Sequence, residues 1–117
     1  MEENASVDGI QALLARLQTC VASLTSPQTV PAEVATQIES LYQQVLQGFD
    51  VAQYRPSRQP YVTEFHKQLR LLGTDIIFLK AARQTATRAQ HLQSIRDRLQ
   101  ALQGYHSAMT HPEPDAP

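Results

Sequence analysis

Apolar residues recur along most of the chain at alternating steps of three and four positions, the spacing that returns side chains to one face of an α-helix. Four such stripes can be followed: Ile10, Leu13, Leu14, Leu17, Val21 and Leu24; Val34, Ile38, Leu41 and Val45; Val62, Phe65, Leu69, Leu72, Ile76 and Leu79; and Leu92, Ile95, Leu99, Leu102 and Met109. No segment alternates β-branched residues as a strand would. Four stripes of similar width can bury one another. The sequence therefore predicts an all-α fold, an antiparallel up-and-down four-helix bundle, with three helices plus a short arm as the fallback.

Polar and special residues between the stripes predict where the first helices begin and end. Ser6 or Asp8 is available as the N-cap of the first helix, which should end near Leu24. Pro31 suits the first turn of the second helix, because proline lacks the N–H that an interior position needs. Gly48 is expected to end that helix in the left-handed C-cap conformation, before a proline-containing connector of about a dozen residues.

The fourth helix and the end of the chain follow from similar signals. Thr87, with Gln90 three residues later, forms a candidate capping box. The segment HPEPDAP that ends the chain is expected to be frayed. A chain of 117 residues is large enough for a single hydrophobic core. We therefore predict one helical domain over residues 1–110 and a disordered tail over residues 111–117.

Composition indicates an ordinary soluble chain, with 42% hydrophobic and 18% charged residues and a formal net charge of −1. The single cysteine, Cys20, allows neither an internal disulfide nor a thiolate metal cluster, so a reducing compartment is expected. The acidic N-terminus lacks the basic and apolar regions of a secretory signal, and no apolar stretch approaches the length of a membrane span. A cytoplasmic location without membrane binding is predicted.

Charge is distributed unevenly along the chain. Residues 61–100 hold seven Lys or Arg against three acids, whereas residues 1–60 hold three Arg against six acids. A local excess of four positive charges is too small for general nucleic-acid affinity, which requires several phosphates to be neutralised at once. No nucleic-acid partner is therefore predicted, and a solvated helix face is the simpler interpretation of the basic half.

The third predicted helix is apolar nearly all round. At about 100° per residue, Leu71 and Phe78 project away from the core stripe, and Ile77 falls on a third side. A wide core stripe would account for part of this pattern. The other interpretation is an exposed apolar patch that serves a homodimer or a different protein partner. The sequence leaves both interpretations open.

Asp75 lies inside this apolar segment, where an unpaired buried carboxylate would be costly and needs a cation. The available cations are Arg96 and Arg98 on the antiparallel fourth helix, and Lys67 and Arg70 across a dimer seam. A structural ion pair is favoured over a functional acid. The neighbouring Gly73 costs about 1 kcal/mol relative to Ala in a helix, and the close approach of another helix would offset that cost.

Motifs that would carry catalysis are missing: the chain has no glycine-rich phosphate loop, paired thiols, HExxH or nucleophile elbow. The four histidines, which lack the spacing of a helical zinc pair, are interpreted as surface residues: His66, His91, His106 and His111. No catalytic residue, cofactor or metal is therefore predicted. The alternative is a small helical-bundle enzyme or anion-binding protein that uses Arg70, Lys80 and Arg83 to bind a group such as a dicarboxylate.

The segment KQLRLLGTDIIFLKAARQTATRAQHLQSIRDRLQAL, Lys67 to Leu102, resembles the signature segment of the cyanobacterial heterocyst frequency control protein PatD family. The similarity covers about the C-terminal third of the chain. It is most specific from Leu69 to Thr87, the run LRLL.TD..FL.AARQ.AT, where unusual apolar density is combined with fixed Asp, Arg and Thr positions. The first sixty residues match only as amphipathic helices.

The resemblance implies a small cytoplasmic regulator without catalytic activity, which tunes how often vegetative cells become heterocysts and is linked to the tubulin-like division protein FtsZ. Binding would modulate FtsZ assembly. Basic and apolar residues of the third helix and the following turn are then the candidate partner-binding residues: Arg70, Leu71, Phe78, Lys80, Arg83 and Arg88. An acidic surface or tail on the partner would be steered towards these cations at low salt.

Overall fold

Four α-helices and two short 3-10 turns form the parts of the chain that the computed structural model describes, residues 2–24 and 30–110. The helices are α1, Glu2–Ala22; α2, Ala32–Gly48; α3, Gln59–Ala81; and α4, Thr85–Thr110. The 3-10 turns, Val51–Gln53 and Pro56–Arg58, lie between α2 and α3. Side chains are described from residue 9 onward. No strand occurs within these ranges, so the all-α prediction is confirmed.

The helices pack in a ring in which α1 contacts α2 and α4, and α3 contacts α4 and α2. Gln11, near the start of α1, meets His106 near the end of α4, and Arg96 farther back on α4 donates to the carbonyl of Leu24. The two helices therefore run antiparallel. The same relation between consecutive helices gives the predicted four-helix bundle, 53 Å in its longest dimension. Packing is dense between α3 and α4 and much sparser between α2 and α3.

The predicted stripes form the core. Every stripe position of α3 and α4 is buried, and the side chains of Phe65, Leu69 and Leu99 have no exposed surface. Leu13 and Val34 are partly buried and pack at the edge of the same cluster. Complete burial of one large apolar side chain contributes roughly 1.5–3 kcal/mol relative to its exposure. This one cluster therefore supplies the main stabilising term.

Several predicted helix ends differ from the structure. Ser6 and Asp8 lie inside α1, which begins at Glu2, so neither is its N-cap. Acidic residues in a first turn favour an earlier start because they complement the helix dipole. Gly48 is the last residue of α2 and not a left-handed C-cap, since no described glycine has a positive φ. The chain leaves α2 through the extended backbone of Phe49 instead.

The start of α4 also differs from the prediction. Thr87 lies two residues inside α4, so the expected capping box with Gln90 is wrong. The N–H of Arg88 donates to the carbonyl of Gln84, which places the first turn of the helix earlier in the chain. The start of α2 agrees better with the sequence, because Pro31 is its N-cap residue. The predicted disordered tail, residues 111–117, lies outside the described residues.

The connector between α2 and α3 covers one end of the bundle with aromatic rings. The ring of Phe49 lies 5.1 Å from that of Phe65 and 5.9 Å from that of Tyr54, measured between centroids. The carboxylate of Asp50 accepts a hydrogen bond from the N–H of Ala52 at 3.0 Å and so stabilises the first 3-10 turn. The expected connector of about a dozen residues is confirmed, and its ring packing explains how it stays ordered without a helix.

Candidate functional site

One side of α3 faces away from the core and combines apolar with basic residues. This α3 outer face consists of Lys67, Arg70, Leu71, Thr74, Ile77 and Phe78. Ile77 is 61% exposed, Phe78 50% and Leu71 36%, although the opposite side of the same helix is completely buried. The prediction that Leu71 and Phe78 point away from the core is confirmed. A wholly internal role for these side chains is therefore wrong, because α3 has too many apolar positions for one core stripe.

A groove of about 330 Å³ lies between α2 and α3, beside the α3 outer face. Gly73 lines it, and the absent side chain leaves room for the Tyr42 ring. A Cβ at position 73 would come within 3.0 Å of the hydroxyl oxygen and two ring atoms of Tyr42. The expected close approach at this glycine is confirmed. Leu46 and Ile77 contribute apolar surface to the groove, and Arg70 lines it as well.

The two ends of this groove differ in charge. Lys80 Nζ lies 2.9 Å from Glu39 Oε1, so the one acid that lines the groove is already paired. Both side chains of this pair are well exposed, so the pair contributes at most about 1 kcal/mol to stability. Arg70, by contrast, has no ion pair among the described residues. Its guanidinium lies close enough to Tyr42 to oppose the rise in pKa that burial gives the phenol.

Asp75 is buried between α3 and α4 and has a structural partner. Its Oδ2 accepts a hydrogen bond from Arg98 Nε at 2.5 Å, and its Oδ1 lies 3.7 Å from His91 Nδ1. Arg98 also donates from Nη1 to the side-chain oxygen of Gln68 at 3.1 Å. The Phe78 ring lies over His91, with centroids 5.3 Å apart. The expected structural ion pair is confirmed, with Arg98 as the cation.

Arg83 and Arg88 follow α3 but have different environments. The Arg88 guanidinium folds back and donates to the carbonyls of Ala82 at 3.3 Å and Arg83 at 3.1 Å. It therefore stabilises the turn between α3 and α4, where the last carbonyls of a helix lack partners. Arg83 itself is exposed, and its side chain has no partner among the described residues. Of these two predicted partner-binding residues, only Arg83 presents an unengaged charge.

The three cations of the anion-binding alternative do not converge on one point. Arg70 and Lys80 are ten positions apart on α3, about 15 Å along the helix axis. Lys80 is paired with Glu39, and Arg83 lies beyond the end of the helix. These positions do not form the shared cradle that a small dicarboxylate would require. The remaining sequence candidates, Leu71 and Phe78, lie on the α3 outer face as described.

Ile77 is the residue that the list of candidate partner-binding residues lacks. It is the most exposed large apolar side chain in the described part of the molecule, and it lines the groove beside α2. The helical periodicity placed Ile77 away from the core, but it carries no information about the groove beside this residue. Around the axis of α3, Ile77 lies about 60° from Thr74. Together with the apolar stripe of α2, this angle was the sequence signal that could have placed Ile77 at the seam between α2 and α3.

His106 corrects the interpretation of the histidines as surface residues. It is 1% exposed, and its Nδ1 lies 2.8 Å from the side-chain oxygen of Gln11 on α1. The rings of Phe65 and Tyr54 pack against it at 5.8 and 6.3 Å. Its place in the Leu102, His106, Met109 series continues the core stripe, which was the available signal. His66 is exposed, His91 is half-buried and His111 lies outside the described residues.

Metal-binding, membrane-spanning and reactive-thiol sites find no support in the described residues. Residues 2–24 and 30–110 contain no group of His, Cys, Asp and Glu arranged to hold a metal ion. The helices within these same ranges are all too short or too polar to cross a lipid bilayer. Burial raises the pKa of the Cys20 thiol, which disfavours the reactive thiolate. The exposed apolar side chains of the α3 outer face make this face, with the adjacent groove, the candidate site.

Comparison with known proteins adds no relative: neither a family model, nor a curated protein, nor a solved structure matches this chain.

Proposed function

We propose that this protein is a non-catalytic interaction module that acts in the cytoplasm by binding another protein through the α3 outer face. The observation that carries this proposal is the exposure of Leu71, Ile77 and Phe78 on a helix whose other side fills the core. Large apolar patches are seldom left in water by monomeric proteins. Binding a partner is the simplest role for large apolar side chains that stay exposed in the folded protein.

The resemblance to the heterocyst frequency control protein PatD family suggests the partner, the division protein FtsZ, and the process, the tuning of heterocyst frequency. The segment that carries this resemblance, Lys67 to Leu102, includes the whole α3 outer face. The segment that carries the resemblance and the exposed apolar patch therefore coincide on one helix. The protein would bind FtsZ and alter how its filaments assemble.

Charge supports the same surface. Arg70 and Arg83 are exposed, and their side chains make no hydrogen bond or ion pair with the described residues, so both can attract an acidic surface. Cations at the rim of an interface mainly raise the association rate, whereas apolar anchors govern dissociation. The electrostatic part of binding should weaken as salt shortens the screening length from about 30 Å at 0.01 M to about 8 Å at 0.15 M.

The test is sedimentation of FtsZ polymers with wild-type protein and with two double variants, at low and at high salt. Arg70→Glu with Arg83→Glu should weaken the effect on pelleted FtsZ at low salt, and the difference should shrink at high salt. Arg16→Glu with Arg55→Glu is the matched control, since both arginines are exposed and lie outside α3 and the turn that follows it. Wild-type protein that leaves pelleted FtsZ unchanged rules out FtsZ as the partner. Equal effects from both double variants rule out the basic surface.

A further inference from the structure

We propose that the groove between α2 and α3 is a docking site for an acidic amphipathic helix of a partner protein. This inference rests on the proposed function, because it specifies what the interaction module binds. It adds a second wall, α2, to the surface and makes Ile77 the central anchor. The groove includes the Tyr42 ring and the apolar side of Leu46 opposite Ile77.

The shape of the groove favours a helix. Two antiparallel helices that pack loosely leave a channel along their seam, and an added helix fills such a channel with a ridge of side chains three and four apart. The Tyr42 side chain occupies the space beside Gly73, and both residues line the groove. From Arg70 to Ile77 the groove follows seven positions of α3, about 10 Å, so two to three turns of a partner helix would span it.

Charge selects an acidic partner. The α3 outer face carries two cations, Lys67 and Arg70, and no acid. Glu39, the acid on the opposite wall, is already paired with Lys80 at 2.9 Å. A partner with carboxylates next to its apolar ridge would therefore meet unneutralised positive charge at the Arg70 end of the groove. A basic partner would meet repulsion at the same place.

The same charges argue against a second copy of this chain as the occupant. Lys67 and Arg70 lie towards the start of the α3 outer face, and Arg83 lies just past the end of the helix. Placed parallel, two copies would bring Arg70 against Arg70. Placed antiparallel, they would bring Lys67 of each copy towards the end that carries Arg83. A flat lipid surface fits poorly as well, because Tyr42 and Leu46 are recessed between two helices and a bilayer cannot follow them.

The experiment uses the full chain and a display library of helical peptides of about four turns, with apolar residues at three-and-four spacing. Each polar position of the library holds Glu, Gln or Lys in equal amounts. We expect the pool that binds wild-type protein to be enriched in Glu over Lys about threefold or more at low salt. Lys67→Gln with Arg70→Gln should retain weaker binding and lose the preference for Glu.

Ile77→Glu should weaken binding of the selected peptides about tenfold, measured by fluorescence anisotropy, with an unchanged helical spectrum. Gln100→Glu is the matched control, since Gln100 is exposed on α4 and lies at the α1–α4 seam, where it receives the same charge on the opposite side of the bundle. It should bind within about twofold of wild type. Equal losses in both variants, or a pool without preference for Glu, would overturn the proposal.

Two further measurements exclude the other occupants. Analytical ultracentrifugation measures the oligomeric state. If wild-type protein is a dimer and Ile77→Glu is a monomer, the groove belongs to a second copy of the chain and the proposal is overturned. Binding to phosphatidylglycerol vesicles that is lost in Ile77→Glu, without any selected peptide, would assign it to lipid and also overturn it. The FtsZ test is separate: acidic peptides selected in the absence of an FtsZ effect would support the groove and remove only the named partner.

Discussion

Replacement of Gly73 by alanine should destabilise the protein, although the same change in an ordinary helix is stabilising. Alanine gains about 1 kcal/mol over glycine from helix propensity. At this position the added Cβ would lie 2.6 Å from Cζ and 3.0 Å from Cε2 of Tyr42, closer than such atoms pack. Overpacking of a buried site costs typically 1–3 kcal/mol. With about 2 kcal/mol for the collision, the net loss in the free energy of unfolding is about 1 kcal/mol.

A double-mutant cycle isolates the collision. Tyr42→Leu removes the hydroxyl oxygen and the two ring atoms that the new Cβ would approach, and it keeps an apolar side chain. In that background Gly73→Ala should stabilise the protein by about 1 kcal/mol, because only the propensity gain remains. The coupling between positions 42 and 73 is therefore about 2 kcal/mol, well above the additivity error of distant sites.

Gly104→Ala on α4 is the matched control, because a Cβ there would have no neighbour within 4 Å. It should stabilise wild-type protein by up to about 1 kcal/mol. Urea denaturation followed by circular dichroism at 222 nm gives the free energy of unfolding of each variant: Gly73→Ala, Tyr42→Leu, the two combined, and Gly104→Ala. If Gly73→Ala stabilises the wild-type protein as much as Gly104→Ala does, the Tyr42 ring does not occupy the space beside Gly73, and the described shape of the groove is wrong.

Three further predictions concern polar groups. Arg98→Met should lower the free energy of unfolding by about 2 kcal/mol in urea denaturation, because Asp75 would stay buried without its main cation. Arg88→Ala should cost about 1 kcal/mol through lost bonds to the α3–α4 turn, whereas Arg83→Ala should change stability by less than about 0.5 kcal/mol. Burial, with a smaller contribution from a nearby carboxylate, raises the pKa of Tyr54 to about 12, so the unfolded chain loses this proton first and stability should fall as the pH rises from 10 towards 12. Replacing Tyr54 by Phe should remove that part of the alkaline loss.

The core could be predicted from the sequence because burial follows helical periodicity. The stripe from Val62 to Leu79 is buried at every step, since only one side of α3 reaches the other helices. The same spacing separated Leu71 and Phe78 from the core. His106 was misjudged because residue type was weighed over position: it continues the stripe of α4, and a glutamine on α1 satisfies its Nδ1.

The helix ends and the groove arise from contacts that the spacing of apolar residues cannot predict. Thr87 and Gln90 had the pattern of a capping box, yet α4 begins earlier, where the chain can turn directly after α3. Arg88 was assigned to a partner by its charge alone, whereas the carbonyls it binds become its neighbours only when the turn forms. The groove depends on how closely α2 and α3 pack against each other, and the apolar stripe of each helix, taken separately, does not specify that distance.

Two features of α3 that folding does not require occur within the same two turns. An exposed Ile77 adds little to stability, because its surface stays in water in the folded protein. A glycine at position 73 costs helix propensity, and only the inserted Tyr42 ring offsets that cost. Tyr42, Gly73 and Ile77 all line the groove, with Ile77 as its exposed anchor, and Arg70 leaves one end of it positive. A fold that needed only a stable bundle would not require this arrangement, whereas a binding site for an acidic helix would use each of the four residues.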